Sequence, residues 1–320
     1  MTEYEASDVI FAVVSIPFIL IGMVGNLLVI YIVCSTRSMH STTNFLLVNL
    51  AISDFLTLLL WPFHWQIWWR QRPLTGEIGN FLCKTFTGLS ILDILYVVSS
   101  FTLTALAIER YHAIMKPFRT GLRLSLENIK LVIGVTWLSS ILVCLPDFIL
   151  RELDSNLLQC VGPWTIHMNF ESRVYVICNL VVTVYLPFLI LVFCYSSLVK
   201  GLCFTNTVCS ELTQQNQGED EKKHLLITFV SVTAGFFVCF IPLGSHFMYL
   251  ACKERNTEYD SNEVAFHILW FLLMATSATN PILYAFRSTN FRNGFRSIIL
   301  YYFSFIVRSL LRTISTQSVS

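Results

Sequence analysis

Charge is what this 320-residue chain has least of. Only 13% of its residues are Asp, Glu, Lys or Arg, against 55% hydrophobic. Soluble globular chains carry roughly 25% charged residues, so too few polar groups are present to cover this much apolar surface in water. A mean hydropathy of +0.64 agrees. The net charge is +1 and no basic tract occurs, which argues against a nucleic-acid partner. Also missing are an H-E-x-x-H pair and a Gly-rich phosphate loop, the motifs that supply zinc and phosphate chemistry. No nucleophile and base stand together at helical spacing, so the chain is not expected to be an enzyme. No internal repeat or pair of broken helices is visible, which disfavours a transporter. No N-x-S/T sequon occurs. The opening "MTEYEASD" lacks the basic flank and small-residue cleavage site of a signal peptide, so the first apolar run reads as a retained span.

What the chain does contain is long hydrophobic runs. A bilayer core of about 30 Å takes roughly 20 apolar residues as a helix. Seven segments qualify: Val9–Cys34, Asn44–Trp68, Phe81–Tyr111, Ile129–Leu150, Arg173–Lys200, His224–Ala251 and Glu263–Phe286. The expected fold is an all-α membrane protein, a seven-transmembrane helix bundle over 9–286, with an N-terminal segment 1–8 outside. In 287–320 the uncharged run Ser297–Val307 is too short to span. It reads as an amphipathic helix on the membrane surface, followed by a cytoplasmic tail. Of 21 Lys and Arg residues, 14 fall on the side of Arg110 and Arg292 and 7 on the side of Arg70 and Arg173. That bias predicts N-terminus outside and C-terminus inside. The outer side is acid-rich, including Glu77, Glu152, Asp154 and Glu171. That is a solvated rim or a surface that attracts a cationic ligand.

Ten cysteines divide by depth. Cys83, Cys160 and Cys252 lie at the oxidising outer level, where disulfides persist. A Cys83–Cys160 bridge would pin the second outer loop over the bundle mouth; Cys252 paired with either is the alternative. Charged residues inside the spans carry more information, because each costs about 2.5–3.5 kcal/mol or more to insert. Asp54 lies deep in the second span, with Asn26, Ser99, Ser277 and Asn280 as candidate neighbours. It is either a protonated structural carboxyl or an ion site. Asp93, in the third span, has no obvious basic partner in the apolar segments, so it faces a cavity or carries a proton. Asp147, near the outer end of the fourth span, reads as solvated. Glu109 and Arg110 form a pair at the inner end of the third span. Pro17, Pro62, Pro146, Pro187, Pro242 and Pro281 all fall within predicted spans. There neighbouring groups must satisfy the carbonyls that proline frees.

Taken in order, these residues resemble the rhodopsin-like family of G-protein-coupled receptors. The resemblance covers nearly the whole chain. It rests on Gly25–Asn26, "NLAISD" ending at Asp54, Cys83, "ERY" at 109–111, "KPF" at 116–118, Trp137, Pro187 and Tyr195. It continues through "FFVCFIP" at 236–242, "NPILY" at 280–284 and "NFRNGFR" at 290–296. It implies an activation switch of Glu109, Arg110, Tyr111, Phe118, Tyr195, Asn280, Pro281 and Tyr284, in which Arg110 meets a G protein as the sixth helix opens. Pro187, Phe236, Phe240 and Pro242 would form the hinge and core switch. It implies no cofactor beyond an allosteric sodium ion, held by Asp54, Ser99, Ser277 and Asn280. Implied partners are an extracellular peptide or small-molecule ligand, a heterotrimeric G protein, an arrestin and the lipid of the plasma membrane.

The departures are as informative. Phe240 stands where most members carry tryptophan, and Thr276 replaces a common asparagine. Lys222 stands where some members place an acid that locks Arg110. The stretch from Cys83 to Arg110 is two residues longer than usual, so either the third helix bulges or the cysteine is placed differently. Met274 stands where an opsin carries its retinal-bearing lysine, and Leu92 where an amine receptor carries its aspartate. Pro62 and the short third inner loop resemble peptide receptors. His64, Trp65, Trp68, Asp93, Phe247, Phe266 and Trp270 are the candidate ligand pocket. The expected ligand is a small peptide. An amine or lipid ligand is the alternative within the family, and a transporter using Asp54 and Asp93 the alternative outside it.

Overall fold

The computed structural model describes residues 3–64, 75–115, 124–154, 159–164, 168–203, 216–253, 263–287, 291–298 and 300. Helices dominate because apolar side chains surround backbone groups that have no water to bond. α1 runs Glu3–Ser35, beginning inside the segment expected to precede the first span. α2 runs Thr42–Leu60, capped by the Ser41 hydroxyl, which accepts from the Asn44 N–H. α3 covers Gly76–Met115 and α4 Ile129–Leu150. α5 is assembled from Phe170–Leu180, a π turn Val181–Tyr185 and Leu186–Cys203. α6 spans Asn216–Cys252 and α7 Glu263–Arg287. A last helix, α8, occupies 291–298; the rest of the expected surface helix lies outside the described residues. Among the described residues six helices are long and apolar enough to cross a bilayer. Among the described residues α7 contributes the apolar stretch His267–Leu283, part of the longer helix Glu263–Arg287.

α1 packs on α2 and α7, and α6 on α7. α3 sits at the centre, against α2, α4 and α5. Two apolar clusters fill the bundle. The outer one gathers Leu58, Trp61, Leu92, Leu95, Met168, Val176, Phe247 and Trp270. The inner one gathers Ile32, Leu46, Leu50, Leu103, Leu106, Leu198 and Phe236. Phe240 and Ile241 touch both, immediately before Pro242.

Two irregularities answer questions left by the sequence. First, the third helix bulges. Cys83–Thr87 form a π turn, and Leu89 then adopts φ 74° before a regular helix resumes at Ser90. A left-handed leucine costs about 1–2 kcal/mol, and it absorbs the surplus residues above Asp93. Second, Pro62 is not inside α2. The helix ends at Leu60, and Pro62 lies in a 3-10 turn, Trp61–His64.

Pro17, Pro146, Pro242 and Pro281 do lie inside helices. A proline cannot donate to the carbonyl four residues back. Pro187 thus frees the Thr183 carbonyl, which accepts from the Ser100 hydroxyl of α3 at 2.7 Å. Pro281 frees the Ser277 carbonyl, which accepts from Asn26 Nδ2 of α1 at 2.9 Å. Both of these breaks are mended by a side chain from another helix, so the repairs tie α3 to α5 and α1 to α7.

The outer loop is fastened at three points. Strands β1 (Glu152–Asp154) and β2 (Gln159–Val161) pair antiparallel, with Leu153 opposite Cys160. Cys160 is disulfide-bonded to Cys83, Cα to Cα 5.4 Å, and Cys252 is free. The Asn80 side chain accepts from the Leu153 N–H at 3.2 Å. Asp147 is not solvated. It is 0% exposed, and Arg151, 6% exposed, donates to it at 2.9, 2.9 and 3.2 Å. Arg151 also donates to Ser90 Oγ at 3.2 Å. Two carboxylate oxygens and the N–H edge of a planar guanidinium match edge to edge, so the pair can leave water together. Gly162 allows this approach, since a Cβ there would meet Arg151 Cζ at 2.8 Å; one on Gly88 would collide with Arg151 Cδ.

Replacing Ser100 by Ala should cost about 1–3 kcal/mol by orphaning the Thr183 carbonyl. In a Pro187→Ala background a restored N–H fills that role, and the cost should shrink. A double-mutant cycle on the thermal stability of the detergent-solubilised protein measures the coupling. Strict additivity would remove the repair.

Candidate functional site

A buried polar thread runs between the two apolar clusters. Asp54, 2% exposed, accepts from Asn280 Nδ2 at 2.7 Å and from Ser99 Oγ at 3.4 Å. Ser277, 2% exposed, is a further polar neighbour on α7, and Ser53 and Ser99 share a hydrogen bond of 2.9 Å. Asp54, Ser99, Ser277 and Asn280, the expected ion site, are therefore brought together, from α2, α3 and α7. The missed member is Ser53, one residue before Asp54. Asn26 is committed through its Nδ2, while its buried Oδ1 has no partner among the described residues. Beside this thread, Asn49 donates to Thr102 Oγ1 at 2.8 Å and accepts from Trp137 Nε1 at 2.9 Å, linking α2, α3 and α4.

At the inner end of α3, Arg110 pairs with Glu109, Nε to Oε2 3.1 Å. Glu109 is in turn held by the first turn of α2, where Thr42 and Thr43 hydroxyls donate at 3.3 and 3.1 Å. The sequence offered no signal for this clasp, because it depends on how α2 meets α3. Tyr111 packs on Phe193 of α5, ring centroids 5.8 Å apart. Tyr195 on α5 bonds Thr233 on α6 at 3.1 Å. Tyr111 and Tyr195 thus lie near Arg110 in the expected cluster. The side chains of Lys222 and Tyr284, and all of Phe118, lie outside the described residues.

Phe240 is the middle ring of a chain. It stacks on Phe236 at 4.8 Å with planes 15° apart, and Tyr96 of α3 meets it edge-on at 5.8 Å. Phe236 also touches Phe237, which touches Phe188 beside Pro187. This ring chain bridges the outer and inner clusters at the hinge that Pro242 marks. Tyr96 was missed by sequence reasoning, having only a helical offset from Asp93 to reveal it.

The outer mouth only partly matches expectation. Phe247 is buried against Trp164 of the outer loop, centroids 5.1 Å apart, and Trp164 meets Tyr175 of α5 at 6.0 Å. Trp270 packs on Trp61 at 6.0 Å. Asp93 has Asp147 and Arg151 as electrostatic neighbours. Arg151, just past the end of α4, is a basic residue near Asp93, but its hydrogen bonds go to Asp147 and Ser90. His64 and Phe266 side chains, and all of Trp65 and Trp68, lie outside the described residues. Trp164 and Tyr175 were missed, since a loop tryptophan and a span tyrosine carry no periodic signal.

Membrane-crossing helices threaded by buried polar residues, with a disulfide-pinned loop at one end and a clasped arginine at the other, define a polytopic membrane bundle. The sequence profile of the seven-transmembrane receptor (rhodopsin family) matches residues 25–284. The chain is 30% identical over 293 residues to somatostatin receptor type 4 of Rattus norvegicus, covering 88% of this chain and 70% of that one. It is 30% identical over 285 residues to galanin receptor type 1 of Rattus norvegicus, covering 87% and 78%. It is 28% identical over 304 residues to tachykinin-like peptides receptor 99D of Drosophila melanogaster, covering 88% of this chain but only 55% of that relative. In fold it is similar to squid rhodopsin, with a TM-score of 0.75 over 92% of this chain and 87% of that one, at 20% identity. The chain belongs to the rhodopsin family of seven-transmembrane receptors, the G-protein-coupled family that its motifs resemble. It is a multi-pass membrane receptor and not an enzyme, and the transporter alternative falls with that.

An indole at Phe240 cannot keep both the 4.8 Å stack on Phe236 and the edge contact with Tyr96. Overpacking of this kind costs about 1–3 kcal/mol. Phe240→Trp is expected to raise ligand-free signalling relative to the native chain. Unchanged basal output would make Phe240 a passive filler.

Proposed function

We propose that this receptor binds an extracellular peptide and transmits the event to a heterotrimeric G protein by outward movement of the inner half of α6. The observation that carries the transmission is the ring chain Tyr96–Phe240–Phe236. It joins the outer apolar cluster, below the loop lid, to the inner one, beside Arg110. A ligand that shifts the outer cluster changes the balance of two packings of the inner one, which is all that a population shift requires. Opening must break Tyr195–Thr233 and uncover Arg110. The peptide reading is supported by relatives named as somatostatin, galanin and tachykinin-like peptide receptors. It is supported too by the β1–β2 hairpin across the mouth. The receptor sits in the plasma membrane with its N-terminus outside, in keeping with the Lys and Arg bias. An arrestin is a further partner at the same inner face.

A sodium ion is the proposed allosteric ligand of the Asp54 site. Among the described residues no three His, Cys, Asp or Glu side chains meet, so a transition metal lacks its usual ligand set. One buried carboxylate among the hydroxyls of Ser53, Ser99 and Ser277 suits a small hard monovalent cation, which prefers oxygen. Asp54 would neutralise the ion, the hydroxyls would complete its shell, and collapse of the thread on activation would expel it.

Arg110→Ala is expected to abolish agonist-stimulated nucleotide exchange while ligand affinity changes by less than about threefold, a small coupling. Parallel loss of binding would sink the assigned role. Asp54→Asn is expected to remove the sodium dependence of agonist affinity, measured by radioligand competition with and without sodium. A persistent sodium effect would place the ion elsewhere.

A further inference from the structure

The two ends of α6 are held in unlike ways. The last carbonyls of a helix have no N–H ahead of them and take partners from outside it. At the outer end of α6 one side chain of another helix meets two such groups. Arg173, in the first turn of α5, donates from Nη1 to the Lys253 carbonyl at 2.7 Å and to the Ala251 carbonyl at 3.4 Å. Its Nε donates to the Met168 carbonyl at 3.3 Å, in the stretch of outer loop that leads into α5. Lys253 still follows the helical ladder, its N–H bonding the Tyr249 carbonyl at 2.9 Å. A single guanidinium thus joins the loop, α5 and the end of α6.

Charge strengthens this joint. The C-terminal end of a helix carries partial negative charge, which a cation complements. Hydrogen bonds from an ionised donor are roughly twice as strong as neutral ones. Among the described residues Arg173 makes no ion pair, so its charge is directed at these carbonyls. Just below, Trp164 packs on both Phe247 of α6 and Tyr175, two residues after Arg173. Lower still, α6 passes so near α5 that a Cβ on Gly244 would touch Leu180 and Val184 at 3.6 Å. The inner half is held differently. There the described contacts between α5 and α6 are neutral: the Tyr195 and Thr233 hydroxyls at 3.1 Å, and the rings of Phe188 and Phe237. Pro242 lies between the two halves, where the helical ladder is already broken.

Resting on the opening of α6 proposed above, we infer that Arg173 is a positioning residue that pins the outer end of α6 to α5. With that end pinned, the inner half moves by a change of bend at Pro242 and not by tilting of the whole helix. A helix free at both ends opens at one by closing at the other, and such a tilt would drive Phe247 against Trp164 and deform the mouth. The pin separates the two ends, so the mouth keeps its shape while the inner face opens. Kinks concentrate at proline because its ladder bond is missing, and Pro242 is where α6 supplies one. Through the Met168 carbonyl the same side chain also carries a shift of the outer loop to the end of α6, by a path that does not cross the Tyr96–Phe240–Phe236 rings.

The test uses the full-length receptor in lipid nanodiscs without any ligand. Nitroxides on genetically encoded keto side chains report two distances by double electron–electron resonance. The outer pair is at Ile149 and Tyr249, both exposed, and the inner pair at Lys130 and Lys223. Thr233→Val removes the inner hydroxyl pair and keeps the branched shape. It should raise the share of molecules with a long inner distance by about threefold to tenfold, the worth of one hydrogen bond, and leave the outer distance unchanged. Arg173→Gln should broaden the outer distribution by itself, and combined with Thr233→Val it should shift the outer distance along with the inner one. Arg173→Lys, which lacks the planar fork, should restore part of the outer narrowness. Arg173→Met, which keeps the apolar stem, carries the same comparison if Arg173→Gln does not fold. An outer distance as narrow without Arg173 as with it would overturn the pin. So would an outer distance that follows the inner one while Arg173 is present. An inner distance indifferent to Thr233→Val, beside a broadened outer one in Arg173→Gln, would uphold the pin and sink the opening of α6 alone.

Discussion

Every backbone carbonyl and amide inside the lipid must find a partner within the protein, and the rest of this structure follows from that requirement. An unpaired backbone group in hydrocarbon costs several kcal/mol, so the spans are helices. Where a proline interrupts a helix, the freed carbonyl has to be met from elsewhere. Ser100 meets Thr183, and Asn26 meets Ser277. These bonds fix how α3 sits against α5 and α1 against α7. The irregular places, the prolines with the π turn of α5, are thus where the helices are held in register with one another.

The same economy shapes the charged groups. Asp147 and Arg151 leave water as a matched pair and fasten the outer loop from beneath, while the disulfide fastens it from the side. Asp54 leaves water among amide and hydroxyl groups. Glu109 and Arg110 stay partly wet at the inner boundary and are steadied by two threonines of α2. A buried pair resists rearrangement, since separating it strands a charge. A half-buried pair yields more readily. Rigid electrostatics outside and a releasable pair inside are what a bundle needs to receive a ligand at a fixed mouth and move at the other end.

Between these ends lie two apolar cores that touch through Phe240 and Ile241. Close-packed interiors change by switching between discrete arrangements rather than by flowing. A single stacked ring pair between two cores, next to a proline, is a place where such a switch is cheap. The substitution of phenylalanine for the tryptophan usual in this family leaves a smaller ring in that seat. That ring lies nearly parallel to Phe236, with centroids 4.8 Å apart.

The sequence by itself determined the class. Low charge, seven apolar segments of bilayer length and the Lys and Arg bias follow from solvation alone, and solvation acts residue by residue. It also supplied the Asp54 neighbourhood and the Cys83–Cys160 bridge. Rare polar residues at helical offsets, carried by family motifs, leave few places to meet. The tertiary structure alone decided the rest. Asp147 was read as solvated because Arg151, beyond the end of its span, comes into contact only when α4 ends in a turn beneath the loop. The bulge at Leu89, the Thr42–Thr43 clasp on Glu109 and the roof of Trp164 over Tyr175 all depend on which faces of separate elements meet. Facing is set by packing over the whole bundle, and no local stretch of sequence encodes it.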